Sequence, residues 1–363
     1  MTANGNTSDL LVGLRTALSA VGVVAELEPM ADTGLAHAHF RLKGTGLIAR
    51  VPKQSQMQLG AEQNLAYQAS CYVRTSRSGH APRLAQVVPP TTALPRGALV
   101  VEEISGRAPQ LPEDLDAIVD ALAAIHRLDV PVAQARTPLL DPLDPLDDLL
   151  SEISAQAEYL APADIAPETE SVIRGGIAQL RALARDEARP AKRLMSFDAH
   201  PGNFLLDAHG RAILVDLEKC RYSAPQLDLA HATLYTSTTW DVASQAVLST
   251  DEVGSAHVRW LDRLGDTDWA DAAAYWLVPM RRAMWLWSMT WCAKWRVLSG
   301  GSARGDGAGE DWSAEGSEAG LIDHVRGRVD HYLAPETATM VESEFETLSQ
   351  MLSVCEDRDS RHV

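Results

Sequence analysis

The stretch Ser196-Phe197-Asp198-Ala199-His200-Pro201-Gly202-Asn203-Phe204-Leu205-Leu206, followed by Asp207-Ala208-His209-Gly210-Arg211 and then Ala212-Ile213-Leu214-Val215-Asp216, decides how the rest of the chain is read. Two short apolar runs flank the turn Asp207-Ala208-His209-Gly210, which is the pattern of a β-hairpin. The loop before the hairpin carries Asp198, Asn203 enters the first strand and Asp216 ends the second. Antiparallel pairing predicts that Asn203 and Asp216 meet at one mouth, with Asp198 projecting from its loop beside them. An acid-bearing hairpin with no chemistry would satisfy the strand pattern as well. The order carboxylate, amide, carboxylate is nevertheless the one that moving a phosphoryl group from ATP requires. The first group stands beside the attacking hydroxyl, and the other two hold Mg²⁺ against the triphosphate.

The wording of the stretch is more specific than its spacing. His200-Pro201-Gly202-Asn203 after Asp198, Val215-Asp216-Leu217-Glu218, and the later Leu227-Asp228-Leu229-Ala230 resemble the aminoglycoside phosphotransferase and choline kinase family. The resemblance implies an α+β, two-lobed protein-kinase-like fold with a small antiparallel-sheet N-lobe and a larger, mainly helical C-lobe. It implies an ATP- and Mg²⁺-dependent transfer to a hydroxyl of a small molecule, with Asp198 catalytic, Asn203 and Asp216 on the metal, and Glu218 near them. Ser196 departs from the pattern, because the family usually has a loop-supporting His there. That departure, with an Arg in place of the small lobe's usual Lys, keeps open a nucleotide-binding pseudokinase with a regulatory or scaffold role. A protein kinase is disfavoured: no Ala-Pro-Glu segment follows Asp216, and Glu218 leads within a few residues into a helix pattern.

The small lobe is expected over residues 1–104 as the nucleotide clamp, and residues 105–363 as the helical lobe with catalytic loop and acceptor site. A helix over 8–22 precedes strands at Val24–Met30, Ala36–Lys43 and Leu47–Val51, then a helix at Met57–Val73 and a strand at Ala98–Glu102. On the third strand Arg50 occupies the basic position that holds phosphates, with Lys53 as the alternative. Glu62, the only acid between Asp32 and Glu102, is its expected partner. The turn around Gly34 would cover the phosphates through backbone N–H groups, since glycine permits close approach. The resemblance places the adenine edge against backbone groups near Glu103 and Ile104.

Beyond Ser105-Gly106 the periodicity is helical, at 112–126, 144–160, 167–187, 225–239, 251–264, 268–298 and 336–354, while the Gly/Ser/acid-rich 299–320 reads as a loop or lid. A hydrophobic content of 46% with 22% charged residues is that of a folded globular protein. Four scattered cysteines suggest neither a disulfide framework nor a zinc site. With no basic region before the first apolar stretch and no apolar run long enough to span a bilayer, the expectation is a soluble cytoplasmic protein.

Nine Lys/Arg and seven Asp/Glu fall in residues 1–104, a balance of +2, against 23 and 42 in residues 105–363, a balance of −19, so the acidity behind the net charge of −17 resides in the larger lobe. Such a surface disfavours nucleic acid and attracts a cationic small molecule, although acids that merely keep the lobe soluble would look the same. All nine tryptophans follow residue 239, and Trp276, Met280, Met284, Trp287, Trp291 and Trp295 form one helical stripe. The stripe reads as packing or as an aromatic cage for an ammonium group, with Trp285, off it, the ring for a ligand if the stripe faces the core. Asp241, Asp251, Glu252, Asp268 and Asp271 are candidates to receive substrate amines or to begin helices. The expected acceptor is thus an amine-bearing alcohol such as an aminoglycoside or choline-like compound. His200 reads as a hydrogen-bonding residue of the loop and His126 as a helix-end histidine.

Overall fold

The computed structural model of the chain describes residues 3–30, 36–55, 57–299 and 319–359. The first part is a five-stranded antiparallel sheet of β1 (Leu27–Pro29), β2 (His37–Leu42), β3 (Leu47–Pro52), β4 (Leu84–Val88) and β5 (Ala98–Glu102), in the order β1-β2-β3-β5-β4. Strand alternation gives the sheet two unlike faces. Ala38, Phe40, Leu42, Ala49, Val51, Ala98 and Val100 turn to one side and pack with Leu14 and Leu18 of α1 (Ala3–Ala20). The residues between them, His37, Arg50, Leu99 and Val101, turn to the other side, and that period-2 choice puts a guanidinium in the cleft. β4 was not anticipated, because Leu84-Ala85-Gln86-Val87-Val88 lacks clear alternation and its ladder with β5 slips between Leu84 and Gln86.

The helix α2 (Ala61–Thr75) covers the cleft face. It starts four residues later than its periodicity suggested, because Ser55 holds the preceding turn by accepting from the Leu59 N–H and donating to Asn64 Oδ1. Its Leu65, Tyr67, Cys71 and Tyr72 share a core with Leu99, Val101, Phe204, Leu214 and Leu217, so one hydrophobic cluster runs from sheet to hairpin. Tyr67 Oη donates to the Cys220 carbonyl at 2.7 Å and Tyr72 Oη to the Val215 carbonyl at 3.2 Å, fastening α2 to the segment that carries Asp216.

The remainder is helical: α3 (Leu115–His126), α4 (Pro145–Gln156), α5 (Pro167–Leu183), α6 (Gln226–Thr233), α7 (Tyr235–Thr238), α8 (Thr250–Leu264), α9 (Thr267–Ala274), α10 (Leu277–Leu298), α11 (Ala319–Tyr332) and α12 (Pro335–Asp359). Two small ribbons interrupt it, β6 (Arg193–Met195) with β9 (Arg221–Ser223), and β7 (Phe204–Leu206) with β8 (Ala212–Leu214). The helix expected over 268–298 is broken between α9 and α10. Pro279 explains the break, since its ring excludes the carbonyl of Tyr275 from a continuous helix but fits the first turn of a new one. α11 begins at Ala319, two residues inside the loop expected over 299–320, most of which, residues 300–318, is outside the described residues. No helix among the described residues is long and apolar enough to cross a membrane.

α10 forms the axis of the lobe, with Met280, Met284, Trp285 and Met289 buried around it. Arg281, fully buried on the same helix, donates to Glu344 Oε1 at 2.7 Å and Thr233 Oγ1 at 2.7 Å. His257 of α8 is also buried, its Nδ1–H donating to the Val253 carbonyl at 2.6 Å. Burial, reinforced by the Arg281 charge, pushes its pKa down to about 3. The unfolded chain therefore binds a proton below its usual pKa near 6.5 that the folded chain refuses, and stability falls as pH drops through that window. Between pH 6.5 and pH 5 the cost is about 2 kcal/mol for this one residue. Urea midpoints are expected to fall less steeply with pH in His257→Gln than in the wild type. Equal slopes would show that His257 is not the group titrating.

Candidate active site

The hairpin forms as its sequence suggests. Phe204 pairs with Leu214 and Leu206 with Ala212, Asp207 Oδ1 accepts from the His209 and Arg211 N–H groups, and Gly210 takes φ 74° in the turn. Val215 N–H donates to the Asn203 carbonyl at 2.9 Å, which brings Asn203 and Asp216 to one mouth. Asn203 Nδ2 donates to the Asp198 carbonyl at 2.8 Å, leaving its amide oxygen for another ligand. The linker between the lobes packs against the hairpin strand β7, Arg107 exchanging backbone hydrogen bonds with Leu206. There a Cβ on Gly106 would stand 2.5 Å from the Leu206 carbonyl oxygen, so only glycine allows the approach.

A buried relay supports the loop. Asp228 of α6 accepts from the backbone N–H of Ser196 at 2.7 Å and of Phe197 at 2.8 Å, and its Oδ2 also lies 3.2 Å from His126 Nε2. Trp260 Nε1–H donates to His126 Nδ1 at 3.0 Å, so the imidazole proton sits on Nε2 and points at the carboxylate. Asp228, His126 and Trp260 are all fully buried. Their anchor holds Phe197 at φ 62°, a left-handed conformation costly for a residue with a Cβ. Its ring lies under the Arg221 guanidinium at 3.7 Å and edge-on to Trp287 at 5.3 Å. His126 ends α3, as its sequence reading has it, and from there its imidazole also links Trp260 to the carboxylate that holds the loop. The signal in the sequence was a lone His within the apolar Leu122-Ala123-Ala124-Ile125-His126. Ser196, at the departing position, accepts from the Asp198 N–H at 3.0 Å and so supports the loop from within.

Charge is ordered around the mouth. Lys219 Nζ donates to Asp198 Oδ2 at 2.9 Å, and His231 Nδ1 stands 4.0 Å from Oδ1. Burial would raise the Asp198 pKa, but the surrounding positive groups, Lys219 chief among them, outweigh it and hold the carboxyl below its usual range. Arg50 is only 5% exposed and donates to Asp216 Oδ1 at 2.8 Å and the Val215 carbonyl at 2.9 Å. It keeps Asp216 ionised against the cost of burial. Glu218 lacks such a partner at hydrogen-bond distance among the described residues, and burial together with the Asp216 charge pushes it up to about 8. His37 faces it at 3.6 Å and gives its Nε2–H to Gln68 Oε1 at 3.0 Å, while burial and Arg50 lower its pKa to about 3. A neutral His37 and a neutral Glu218 thus flank the charged Arg50–Asp216 pair.

The small-lobe expectations are met unevenly. Arg50 reaches the mouth, but it pairs with Asp216 and not with Glu62. Because α2 begins at Ala61, Glu62 falls in its first turn, exposed, where an acid suits the helix dipole. The face of α2 that meets the cleft carries Gln68 and Tyr72, uncharged side chains, with the Tyr72 ring 5.7 Å from the Arg50 guanidinium carbon. At the linker, the Glu103 N–H is taken by the Gly46 carbonyl at 2.8 Å and its carboxylate by Arg41 at 2.7 Å, so its amide does not face a ligand. Ile104, half-buried, follows it. Gly34 lies outside the described residues.

Beside Asp198 opens a cavity of about 630 Å³ whose wall includes Phe197, Lys219, Trp287, Trp291, Asp148 and Glu152. Its acids, Asp148, Glu152 and Glu158, come from α4 and the turn that follows it, which the sequence reading did not select. Trp287 Nε1–H donates to Glu152 Oε1 at 2.8 Å, fixing an aromatic face and a carboxylate together. The acids proposed from sequence behave otherwise. Asp251 and Glu252 lie in the first turn of α8, capped by Ser249, Asp268 in that of α9, and Asp271 is exposed further along α9. Of these acids Asp241 alone borders the loop that carries Asp198, against Gly202. The aromatic stripe divides: Trp276 and Trp295 pack in the core, whereas Trp287 and Trp291 reach the cavity. Trp285 is fully buried edge-on to Phe345, so it is not a ligand ring.

Asp216 and the Asn203 amide oxygen offer hard oxygen donors at one mouth, a set that fits Mg²⁺. His37, Asp216 and Glu218 also bring ligand atoms within 4.8 Å of one another, but Arg50 already supplies that cluster with a cation.

Known structures share the architecture. An ethanolamine kinase from Plasmodium vivax superposes with a TM-score of 0.55 at 13% identity, covering 88% of this chain and 84% of the other. A choline/ethanolamine kinase family protein from Mesorhizobium loti gives 0.54 at 17% identity, covering 93% and 99%. A thermostable mutant of aminoglycoside phosphotransferase APH(4)-Ia, in a ternary complex with ADP and hygromycin B, gives 0.53 at 15% identity, covering 88% and 97%. At these identities they establish the protein-kinase-like fold alone. No curated protein sequence matches. The model of the phosphotransferase enzyme family matches residues 39–275, well over half the chain, with both lobes' site segments inside it. With its hairpin, relay and cleft cation in place, the chain belongs to the phosphotransferase enzyme family.

Proposed function

We propose that this protein is an ATP- and Mg²⁺-dependent kinase that phosphorylates a hydroxyl of a small, amine-bearing alcohol. Residues 1–104 clamp the nucleotide and residues 105–363 carry the catalytic loop and acceptor site. The observation that carries the reading is the convergence of Asp198, Asn203, Asp216 and Arg50 on one mouth beside the cavity. In this reading Asp198 orients the acceptor hydroxyl and receives its proton. Asn203 and Asp216 would hold Mg²⁺, which supplies charge neutralisation along the triphosphate when bound. Arg50 meets the phosphates, and most of the rate gain comes from positioning and fixed charge. The Trp287–Glu152 pair suits an ammonium group, which an aromatic face and a carboxylate both attract.

The pseudokinase reading drew on Ser196 and Arg50, and both residues are engaged in the mouth, so no observation favours it further. The deciding experiment measures ADP release with Mg²⁺-ATP across aminoglycosides, choline, ethanolamine and sugar alcohols. Turnover with one of them supports the kinase, whereas tight ATP binding without turnover on any favours a scaffold. Arg50→Met is expected to weaken Mg²⁺-ATP binding at least about tenfold in calorimetry, since a charge-assisted contact is lost. Unchanged affinity would remove Arg50 from the phosphate site.

A further inference from the structure

We propose that Lys219 is a catalytic residue, its ammonium group bridging Asp198 and the phosphoryl group in flight. The proposal rests on the kinase reading above and adds a residue that neither the motif nor the spacing singled out. Lys219 directly follows Glu218 and reaches back along the mouth, so that Nζ donates to Asp198 Oδ2 at 2.9 Å. Its side chain also lines the acceptor cavity. It therefore stands on the border that the acceptor hydroxyl must cross to reach Asp198.

The need for such a cation follows from the charges. The Asp198 and Asp216 carboxylates, held by Lys219 at 2.9 Å and Arg50 at 2.8 Å, share a mouth that must also accept a phosphoryl group. Arg50 serves the other end of the mouth, beside Asp216 Oδ1 and the Val215 carbonyl, where it is proposed to meet the phosphates. At the Asp198 end, a phosphoryl oxygen approaching the attacking hydroxyl would meet the carboxylate head-on, a repulsion that grows in a site partly closed to water. An ammonium group has three donors and can hold both.

The two oxygens of Asp198 are divided by this contact. Oδ2 belongs to Lys219, while Oδ1, 4.0 Å from His231 Nδ1 and beyond hydrogen-bond reach of it, is the oxygen that faces the hydroxyl. In the step, the acceptor oxygen forms a bond to the γ-phosphorus as the bond from that phosphorus to the β-bridging oxygen breaks. The electron pair of the broken bond leaves with ADP, and the hydroxyl proton passes to Asp198 Oδ1. Lys219 keeps its proton throughout and shifts one N–H from carboxylate to phosphoryl oxygen.

The test uses the full chain with Mg²⁺ and compares wild type, Lys219→Met, Lys219→Gln and Lys219→Arg. Thermal unfolding and calorimetric ADP affinity monitor the fold and the nucleotide clamp. The decisive readout is the tightening of ADP binding produced by aluminium fluoride, a planar stand-in for the transferring group, alongside slow ADP release with water as acceptor. The expected result is ADP affinity within about twofold of wild type in all variants. In Met and Gln, at least about tenfold of the fluoride-induced tightening is lost, with a fall of about 10²-fold in ADP release, partly restored in Arg. The same loss is expected when Lys219→Met is made in an Asp198→Asn background, because a residue acting only by holding Asp198 would there add nothing. Tightening preserved in Met and Gln, or no further loss in that double variant, overturns the proposal and leaves the kinase reading intact. A wild-type chain that neither binds Mg²⁺-ATP nor releases ADP overturns both.

Discussion

Asp198→Asn is expected to lower turnover by about 10³-fold or more while ADP and ATP bind within a few-fold of wild type. The substitution keeps the side chain's shape and leaves the backbone links untouched, since the Ser196 hydroxyl and Asn203 amide both bond the Asp198 main chain. What disappears is the acceptor of the hydroxyl proton and the charge that Lys219 answers at 2.9 Å. Because Arg50, Asn203 and Asp216, the residues proposed to meet the nucleotide and its metal, are not altered, the loss should fall on kcat and not on nucleotide affinity. Rapid-quench or coupled ADP assays against a calorimetric titration would separate the two. Full turnover in this variant would remove Asp198 from the chemistry.

Asp228→Asn should cost stability and activity together, although Asp228 touches nothing that reacts. The wild-type carboxylate accepts two backbone N–H groups and stands opposite His126, all within a fully buried setting. An amide can present one oxygen to one of those donors, and its NH₂ must then confront the other. Leaving buried donors unsatisfied, with a charged acceptor lost, costs about 3–5 kcal/mol. The anchor also holds Phe197 at its positive φ, so relaxation of the loop should displace Asp198 and reduce kcat by about 10²-fold or more. Urea unfolding and steady-state kinetics on the same preparation check both arms. A variant as stable as wild type would show that the relay does not carry the loop.

These two residues differ in how they can be found. Asp198 was legible because its distance to Asn203 and Asp216 along the chain is itself the constraint that a hairpin imposes. Asp228 was visible as part of Leu-Asp-Leu-Ala, yet its partners are 31 and 32 residues earlier and His126 is 102 residues away, separations that no local pattern encodes. The same limit explains Glu62. A helix acid near the basic strand is a sound expectation, but the inward face of α2 is taken by Asn64, Gln68 and Tyr72, which leaves Glu62 exposed in the first turn. Trp285 and Trp287 repeat the lesson on α10, where two positions along the helix separate a ring packed on Phe345 from one that walls the cavity.

What the sequence by itself determined is the local chemistry: the hairpin, the order of its three polar groups, the strand that carries Arg50 and the helical character of the second lobe. Each depends on periodicity or on neighbours a few residues apart, which survive in one dimension. Only the tertiary structure decided that Arg50 answers Asp216, that His126 and Trp260 brace the loop through Asp228, and that Lys219 stands between Asp198 and the cavity. Those pairings join elements brought together by core packing, and the energy that selects them, burial of polar groups that must find partners, has no counterpart until the chain is folded.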